Sequence, residues 1–447
     1  MTKFHKNYFF GAGLLTFNLI FALGFNKIAV ASVNLSLDQA TKEAETSSPS
    51  FQSIKAAAEG AKWKRIEGYS NFLPSISVQA IRLLDYKYQT FDFALGPTVG
   101  VFPEIVPNTT ANLNVYLPLF DGFSNLRRYR AGASLENAAS SDLNWAKFQL
   151  DQQVKLKFYQ ALAAAKLADV ARQNVKTLED HLQKTQVQKR GGVSTQFDVL
   201  RIEVQLSDAK AEEILANDNV EIAKRALSEV MGLESDDREV TGDLPTPVIG
   251  LVQSLQVPKA ESRADVQAII ARDKANSEAA RASNVYWVPK IGLSYQYEYY
   301  NNRDNSFFDG QGYRNAWQLG LTLTWNLFDG MSSIAKAHEA DADSVRSQNA
   351  VRQALLHVPV EFDSWKKRFQ TASVNYKAKV LNVSRAQESV RLAQESYRAG
   401  TRTNSEVLDA ELDLFRSRAG VVSTQLSAEE ALINLESVTG RTIERGK

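Results

Sequence analysis

The residues able to do chemistry in this chain gather at two short glycine turns, GGVSTQFDVL over residues 191–200 and AGTRTNSEVL over residues 399–408. Gly192 and Gly400 each stand where a long helix ends in a residue of positive φ. Thr195 with Asp198, and Thr403 with Glu406, have the T-x-x-acid spacing of a capping box that starts a returning helix. Glu406 and Asp409 lie three apart on one helical face, so a threefold axis at this end would turn them into two stacked carboxylate rings. Such rings favour cations and can hold a blocking metal ion. A plainer reading stands beside this one: Asp198 and Glu406 are first-turn acids that the helix dipole stabilises. No catalytic constellation competes. Cysteine is absent, which removes disulfides, thiol chemistry and a lipidated N-terminal cysteine. His181, His338 and His357 are each isolated in helical runs, with no second ligand at metal spacing, and read as surface or packing residues. No glycine-rich phosphate loop follows a strand. Neither an enzyme nor a cofactor is expected. The balance of 52 basic to 51 acidic residues leaves no footprint for nucleic acid.

The elements that must position these turns occur twice. Gly122 and Gly330, Gly192 and Gly400, Leu200 and Leu408, and Gly232 and Gly440 are each 208 residues apart, so one structural unit is present in two copies. The first repeat covers 51–232, with strands over about 75–92 and 109–120 and a helical hairpin over 124–231; the second covers 259–440, with strands over about 290–300 and 316–328 and a hairpin over 331–439. A loop is expected between the first two strands, from 96 to 108. Residues 233–258, with three prolines, read as a non-helical belt outside the bundle. In the last helix Leu408, Leu412, Phe415, Ala419, Val422 and Leu426 keep coiled-coil spacing, and Leu200, Val204, Ser207, Ala211 and Ile214 keep it more weakly in the first copy. Pro359 falls inside the second long helical run and should kink or interrupt it. Its counterpart in the first copy is Asp151.

Residues 1–31 read as a signal peptide: Lys3 and Lys6, an apolar core, then Ala29-Val30-Ala31 as the cleavage site. A membrane anchor is the other reading of this stretch. The mature chain, 32–447, has no later run long and apolar enough for a spanning helix, so a membrane crossing must use β-strands. The strands suit that task. Trp317, Leu319, Leu321, Leu323 and Trp325 alternate with Gln318, Gly320, Thr322 and Thr324 over about ten residues, as a lipid face and a wet lumen require. Amphipathic hairpins on a soluble core would show a similar alternation. Four strands cannot close a barrel, and open edges in lipid strand their N–H and C=O groups, so neighbouring chains must supply the missing edges. Three chains are the simplest assembly that leaves a lumen, with two or four also open. The 67-residue helical runs, at about 1.5 Å per residue, are too long for any bilayer and must project from it.

The signal peptide, the doubled strand pair and helical hairpin, LFDG after each second strand, and above all YRAGTRTNSEVLDA at 397–410 resemble the TolC family of outer-membrane efflux channels, over essentially the whole mature chain. The resemblance implies a mainly α protein with membrane β: a homotrimer whose twelve-stranded barrel in the outer membrane, four strands per chain, continues as a long α-helical coiled-coil barrel across the periplasm. It implies a duct without an active site, with porin activity, embedded in outer-membrane lipid. Its implied partners are a periplasmic adaptor (membrane fusion) protein and an inner-membrane RND or ABC transporter, for efflux or type I secretion. It also implies acidic constriction rings at Glu406 and Asp409, and a closed-state clasp carried by Asp198, Tyr397 and Arg402. Phe197 departs from the small polar residue expected beside Asp198. The adaptor would dock on Gly192, Val193, Ser194, Ala399, Gly400 and Thr401. The other class of function is a non-conducting coiled-coil trimer anchored in the outer membrane. Acids at the glycine turn of both copies favour the gated tube, since a spacer has no need of charge at its far end.

Overall fold

The computed structural model describes residues 34–85, 90–103, 107–236, 238–301 and 312–443. The expected signal peptide lies outside them. In chain order the elements are α1 (Leu37–Ser47), α2 (Pro49–Ser70), β1 (Ser75–Arg82), β2 (Thr90–Leu95), β3 (Thr98–Pro103), β4 (Thr109–Phe120), α3 (Ser124–Arg190) and α4 (Gln196–Met231). They are followed by α5 (Gly250–Gln253), a 3-10 turn (Ala260–Ser262), α6 (Ala264–Ser283), β5 (Lys290–Asn301), β6 (Arg314–Thr324), α7 (Ser332–Arg398) and α8 (Asn404–Thr439). The 208-residue offset is kept in the helix bounds: α3 and α7 have 67 residues each, α4 and α8 have 36 each.

Each return helix stops partway up its long partner, and a short helix takes its place. α4 ends at Gly232, whose φ is 78°, and a Cβ there would lie 2.4 Å from the carbonyl oxygen of Ser47, the last residue of α1, and 2.8 Å from Cα of Ser48, the N-cap of α2. α8 ends at Gly440 beside Arg263, which donates to the Val438 carbonyl at 3.3 Å and to Asp265 at 2.7 Å at the head of α6. Thus α4 stacks end to end on α2, and α8 on α6. α3 packs on α2 and α4 on one side and on α6 and α8 on the other, while α7 packs on α6 and α8. The layer therefore runs α2/α4, α3, α6/α8, α7.

The two largest fully buried side chains, Phe362 and Phe369, belong to the clusters around these junctions. Leu150, Val154 and Phe158 of α3 pack with Ala40 and Ala44 of α1 and with Leu227 and Met231 of α4. Val358, Phe362 and Phe369 of α7 pack with Leu432 and Leu435 of α8, with Val252 from the segment between the repeats and with Val266 of α6. α7 runs through Pro359 without interruption, so the helix is not broken there, and this second cluster brackets the proline. A proline inside a helix costs about 3 kcal/mol or more. Burial of side chains such as Val358 and Phe362 on either side of it, at about 1.5–3 kcal/mol each, offsets that. In α8 the coiled-coil seam is filled within the chain, with Leu408 and Val422 buried. Its counterpart in α4 leaves Leu200, Val204 and Ile214 exposed, because α4 lies at the flank of the layer and α8 inside it.

β1, β4, β5 and β6 form one antiparallel sheet in the order β1-β4-β5-β6. The register aligns like with like across all four strands. Val78, Leu113, Tyr297 and Trp317 make one row and Ile76, Val115, Tyr295 and Leu319 the next on the same face. On the other face Ser77, Asn114, Gln296 and Gln318 make a row, with Gln318 Nε2 donating to Gln296 Oε1 at 2.7 Å. Among the described residues β1 pairs only with β4 and β6 only with β5, and apolar residues on both are bare, Val78 at 74% and Leu321 at 72% exposure. The first expected strand is shorter than read, ending at Arg82, and the last ends at Thr324 instead of 328. The loop expected over 96–108 instead contains β3, which pairs with β2 across the two-residue turn Gly96-Pro97. Phe91 and Phe93 belong to this separate hairpin, and the Gly-Pro pair that read as loop is its turn.

Each LFDG works as a strand-to-helix junction. Asp121 accepts from the Asn125 backbone N–H at 2.6 Å, and Asp329 from that of Ser333 at 3.1 Å, so the aspartate caps α3 or α7. Phe123 and Met331, at φ 65° and 68°, take the left-handed turn that aims each helix away from its strand. The aspartates supply the compensating bonds for that strain.

Candidate functional site

The two glycine turns lie at the same end of the hairpins, and they close alike. Gly192 N–H donates to the Lys189 carbonyl at 3.0 Å and Val193 N–H to that of Gln188 at 2.9 Å; Gly400 N–H donates to the Tyr397 carbonyl and Thr401 N–H to that of Ser396, both at 3.0 Å. This bonding pattern needs positive φ at its glycine, and Gly192 and Gly400 have 77° and 74°. Side chains then begin the return helices. Thr195 Oγ1 accepts from the Asp198 N–H at 3.1 Å, and Asp198 Oδ2 accepts from the Thr195 N–H at 2.9 Å. In the second copy Glu406 Oε2 accepts from the Thr403 N–H at 2.9 Å. Burial pushes the Asp198 carboxyl up, but hydrogen bonds from Thr195 and Ser194 outweigh it and hold it below the usual carboxylate range. The Thr403 backbone and hydroxyl likewise lower Glu406.

The six residues expected to meet an adaptor lie at the surface of the two turns. Gly192, Val193, Ala399, Gly400 and Thr401 are exposed and Ser194 is half-buried. Val193 and Phe197 present bare apolar surface there, at 78% and 67% exposure. Of the expected clasp, Tyr397 donates to Gln188 Oε1 at 3.2 Å and so ties α7 to α3. Within one chain Arg402 lies 3.9 Å from Glu406, and Asp198 is held by Ser194 and Thr195, so the chain alone does not bring Arg402 and Asp198 together. Glu406 and Asp409 are both exposed.

Two groups at the tip escaped the sequence reading. His181, read as an isolated surface or packing residue, is buried between helices. Its Nδ1 lies 2.9 Å from Glu411 Oε2 and its Nε2 2.8 Å from Asn404 Oδ1, and Gln394 Nε2 donates to the other Glu411 oxygen at 3.1 Å. One polar cluster thus joins α3, α7 and α8 just above the turns. The second group is Arg201 of α4, whose Nη1 donates to Ser405 Oγ at 2.6 Å and whose Nη2 lies 3.9 Å from Asp409 Oδ1. These partners are more than 200 residues apart in sequence, and only the fixed offset of 208 could have paired them. Among the described residues no three His, Cys, Asp or Glu side chains come close enough to hold a metal ion. The tip brings together charges, caps and ties between hairpins.

The family profile described as Outer membrane efflux protein matches residues 40–233 and 259–441, which divides the chain into its two repeats. The outer membrane protein TolC of Vibrio cholerae is 21% identical over 431 residues, covering 95% of this chain and 94% of that protein. The alkaline protease secretion protein AprF of Pseudomonas aeruginosa is 23% identical over 382 residues, covering 82% of this chain and 76% of AprF. Among solved structures, CusC superposes with a TM-score of 0.78 at 14% identity, covering 92% of this chain and 93% of that one. VceC of Vibrio cholerae superposes with a TM-score of 0.76 at 18% identity, covering 91% and 97%. The four-stranded sheet thus has the fold of a segment of a membrane β-barrel that continues into a helical barrel, as in these channels. The barrel lies in the outer membrane, with the helical part in the periplasm. Two-copy architecture, sheet, hairpins and profile agree, and the chain belongs to the outer membrane efflux protein family.

Proposed function

We propose that the chain is the exit duct of a transport assembly: it receives cargo at its helical tip from an inner-membrane RND or ABC transporter and releases it beyond the outer membrane. The observation that carries this reading is the agreement of the two open flanks. β1 and α2/α4 lie on one flank and β6 and α7 on the other, so a single head-to-tail rotation closes sheet and helical layer together into one tube. A rod needs no such coincidence. In this reading Glu406 and Asp409 line the constriction, Asp198, Tyr397 and Arg402 form the contacts that hold neighbouring turns shut, and the exposed turns 192–194 and 399–401 receive the helical hairpin of a periplasmic adaptor. The names of relatives span protease secretion, for AprF, and efflux, for BepC of Brucella suis, as befits a duct that takes its cargo from the transporter it meets. The test is single-channel conductance of the purified trimer in planar bilayers. Small cation-selective openings that grow in Arg402→Ser and lose selectivity in Glu406→Ala with Asp409→Ala support the duct and its gate. Trimers that insert yet conduct in no variant overturn it in favour of a non-conducting rod.

A further inference from the structure

The repeat offset sets a cation against an acid at the tip. Asp198 and Glu406 occupy the same place in the two copies, but three residues on, Asp409 in the second copy corresponds to Arg201 in the first. If six hairpins ring the tip at one level, this position alternates aspartate and arginine around it. The contacts within one chain agree with that alternation: Arg201 hydrogen-bonds Ser405 at 2.6 Å and its other terminal nitrogen lies 3.9 Å from Asp409. Arg201 belongs to α4 and Asp409 to α8, so the contact joins one hairpin to the other, whereas Arg402 and Glu406 sit within a single turn.

We propose that Arg201 sets the charge of the constriction and couples that charge to opening, an inference that rests on the duct reading above. With the hairpins together, each Arg201 compensates an Asp409, and the net negative charge facing the pore falls to that of the outermost acids. When the two hairpins of a chain part, Arg201 leaves with α4. Asp409 is then uncovered, and the pore becomes more cation-selective as it widens. Charge and aperture change together because one side chain governs both. The energy of the contact in the closed state is small, since both groups are substantially exposed (38% and 65% for the side chains). Its effect on a permeating ion is larger, because the ion passes within a few ångströms of the uncompensated carboxylate.

The test is the reversal potential of single channels in a salt gradient, with conductance recorded alongside, for the unaltered trimer and for Arg201→Gln, Arg201→Lys, and the exchange Arg201→Asp with Asp409→Arg. Arg201→Gln is expected to raise the cation-to-anion permeability ratio about thirtyfold, since one unit charge about 4 Å away in water favours a cation about fivefold and disfavours an anion as much, and to enlarge the opening. Arg201→Lys is expected to keep both near the unaltered values, and the exchange to restore the ratio, which a merely structural role for Arg201 would not do. An unchanged ratio in Arg201→Gln, in channels whose ratio does fall on losing Glu406 and Asp409, overturns the role of Arg201 and leaves the duct standing. Absence of conductance in every inserted trimer overturns both.

Discussion

Replacing His181 with alanine should loosen the tip and leave the rest of the tube intact. The His181 and Glu411 side chains are 10% and 4% exposed, and the imidazole supplies the contacts to one Glu411 oxygen and to the Asn404 side-chain oxygen. A buried polar group left without its partner costs about 1–3 kcal/mol. Here Gln394 still donates to Glu411, and a cavity of about 150 Å³ beside the ring lets water approach, so the two groups that lose the imidazole, on Glu411 and Asn404, together cost about 3 kcal/mol. At about 1.4 kcal/mol per factor of ten this is roughly a hundredfold change in a local opening equilibrium. Hydrogen exchange of the native trimer in detergent, read on peptides covering 175–190 and 404–415, measures that equilibrium while the trimer stays assembled. Peptides around Phe362 and Leu435, in the junction core, serve as the control. In a Glu411→Gln background the same replacement should cost less, since the two residues belong to one hydrogen-bond network. Acceleration of less than about threefold at the tip, or an equal cost in both backgrounds, would refute the claim that this cluster ties α3 to α8.

Two further outcomes follow from the turns and junctions. Gly232→Ala should lower the thermal stability of the trimer more than Gly440→Ala: both incur the left-handed cost of about 1–2 kcal/mol, but at Gly232 the new methyl runs into rigid backbone, 2.4 Å from the Ser47 carbonyl oxygen, while at Gly440 its nearest neighbour, Arg263 Cγ, lies at an ordinary contact distance of 3.4 Å. Melting curves of the two variants side by side test the ranking, and equal losses contradict it. Asp198, held below the usual carboxylate range by Thr195 and Ser194, stabilises the start of α4 fully above about pH 4, the ordinary range for aspartate. That contribution disappears as pH falls through its lower folded value. Asp198→Asn should therefore abolish the acid-dependent part of exchange in residues 196–200, and an acid response that survives the substitution would contradict this.

The helical hairpins were legible because their signals are local: a glycine at each turn, a threonine and an acid three apart, and one offset of 208 that leaves no room for insertion. The apolar strands were legible for the same reason, since period-two alternation is written along the strand. What could not be read depends on which segment lies across the layer. Pro359 looked like a break because a local rule says so, and Val358 and Phe362 overrule it through contacts with distant α8 and the segment between repeats. The β2–β3 hairpin was hidden because Gly96-Pro97 serves equally as a loop signal and as a two-residue turn. His181 looked solitary because Glu411 and Asn404 lie in the other copy. Asp409 looked like a plain acidic ring until its counterpart in the first copy was seen to be Arg201.

The open flanks also bear on how such a protein reaches its final state. A newly exported chain carries two unsatisfied sheet edges, β1 and β6, and a long helical flank on α7 with Val345, Leu356, Val360 and Leu381 bare. Each edge is a template for strand addition by any chain nearby, so the unassembled subunit is the species most exposed to misassembly and proteolysis. Closure must be cooperative, because adding a second subunit still leaves two open edges and only the last one removes them. Quality control in the periplasm therefore has a clear mark to recognise: an unpaired β1 or β6 identifies an orphan, and the completed ring has none.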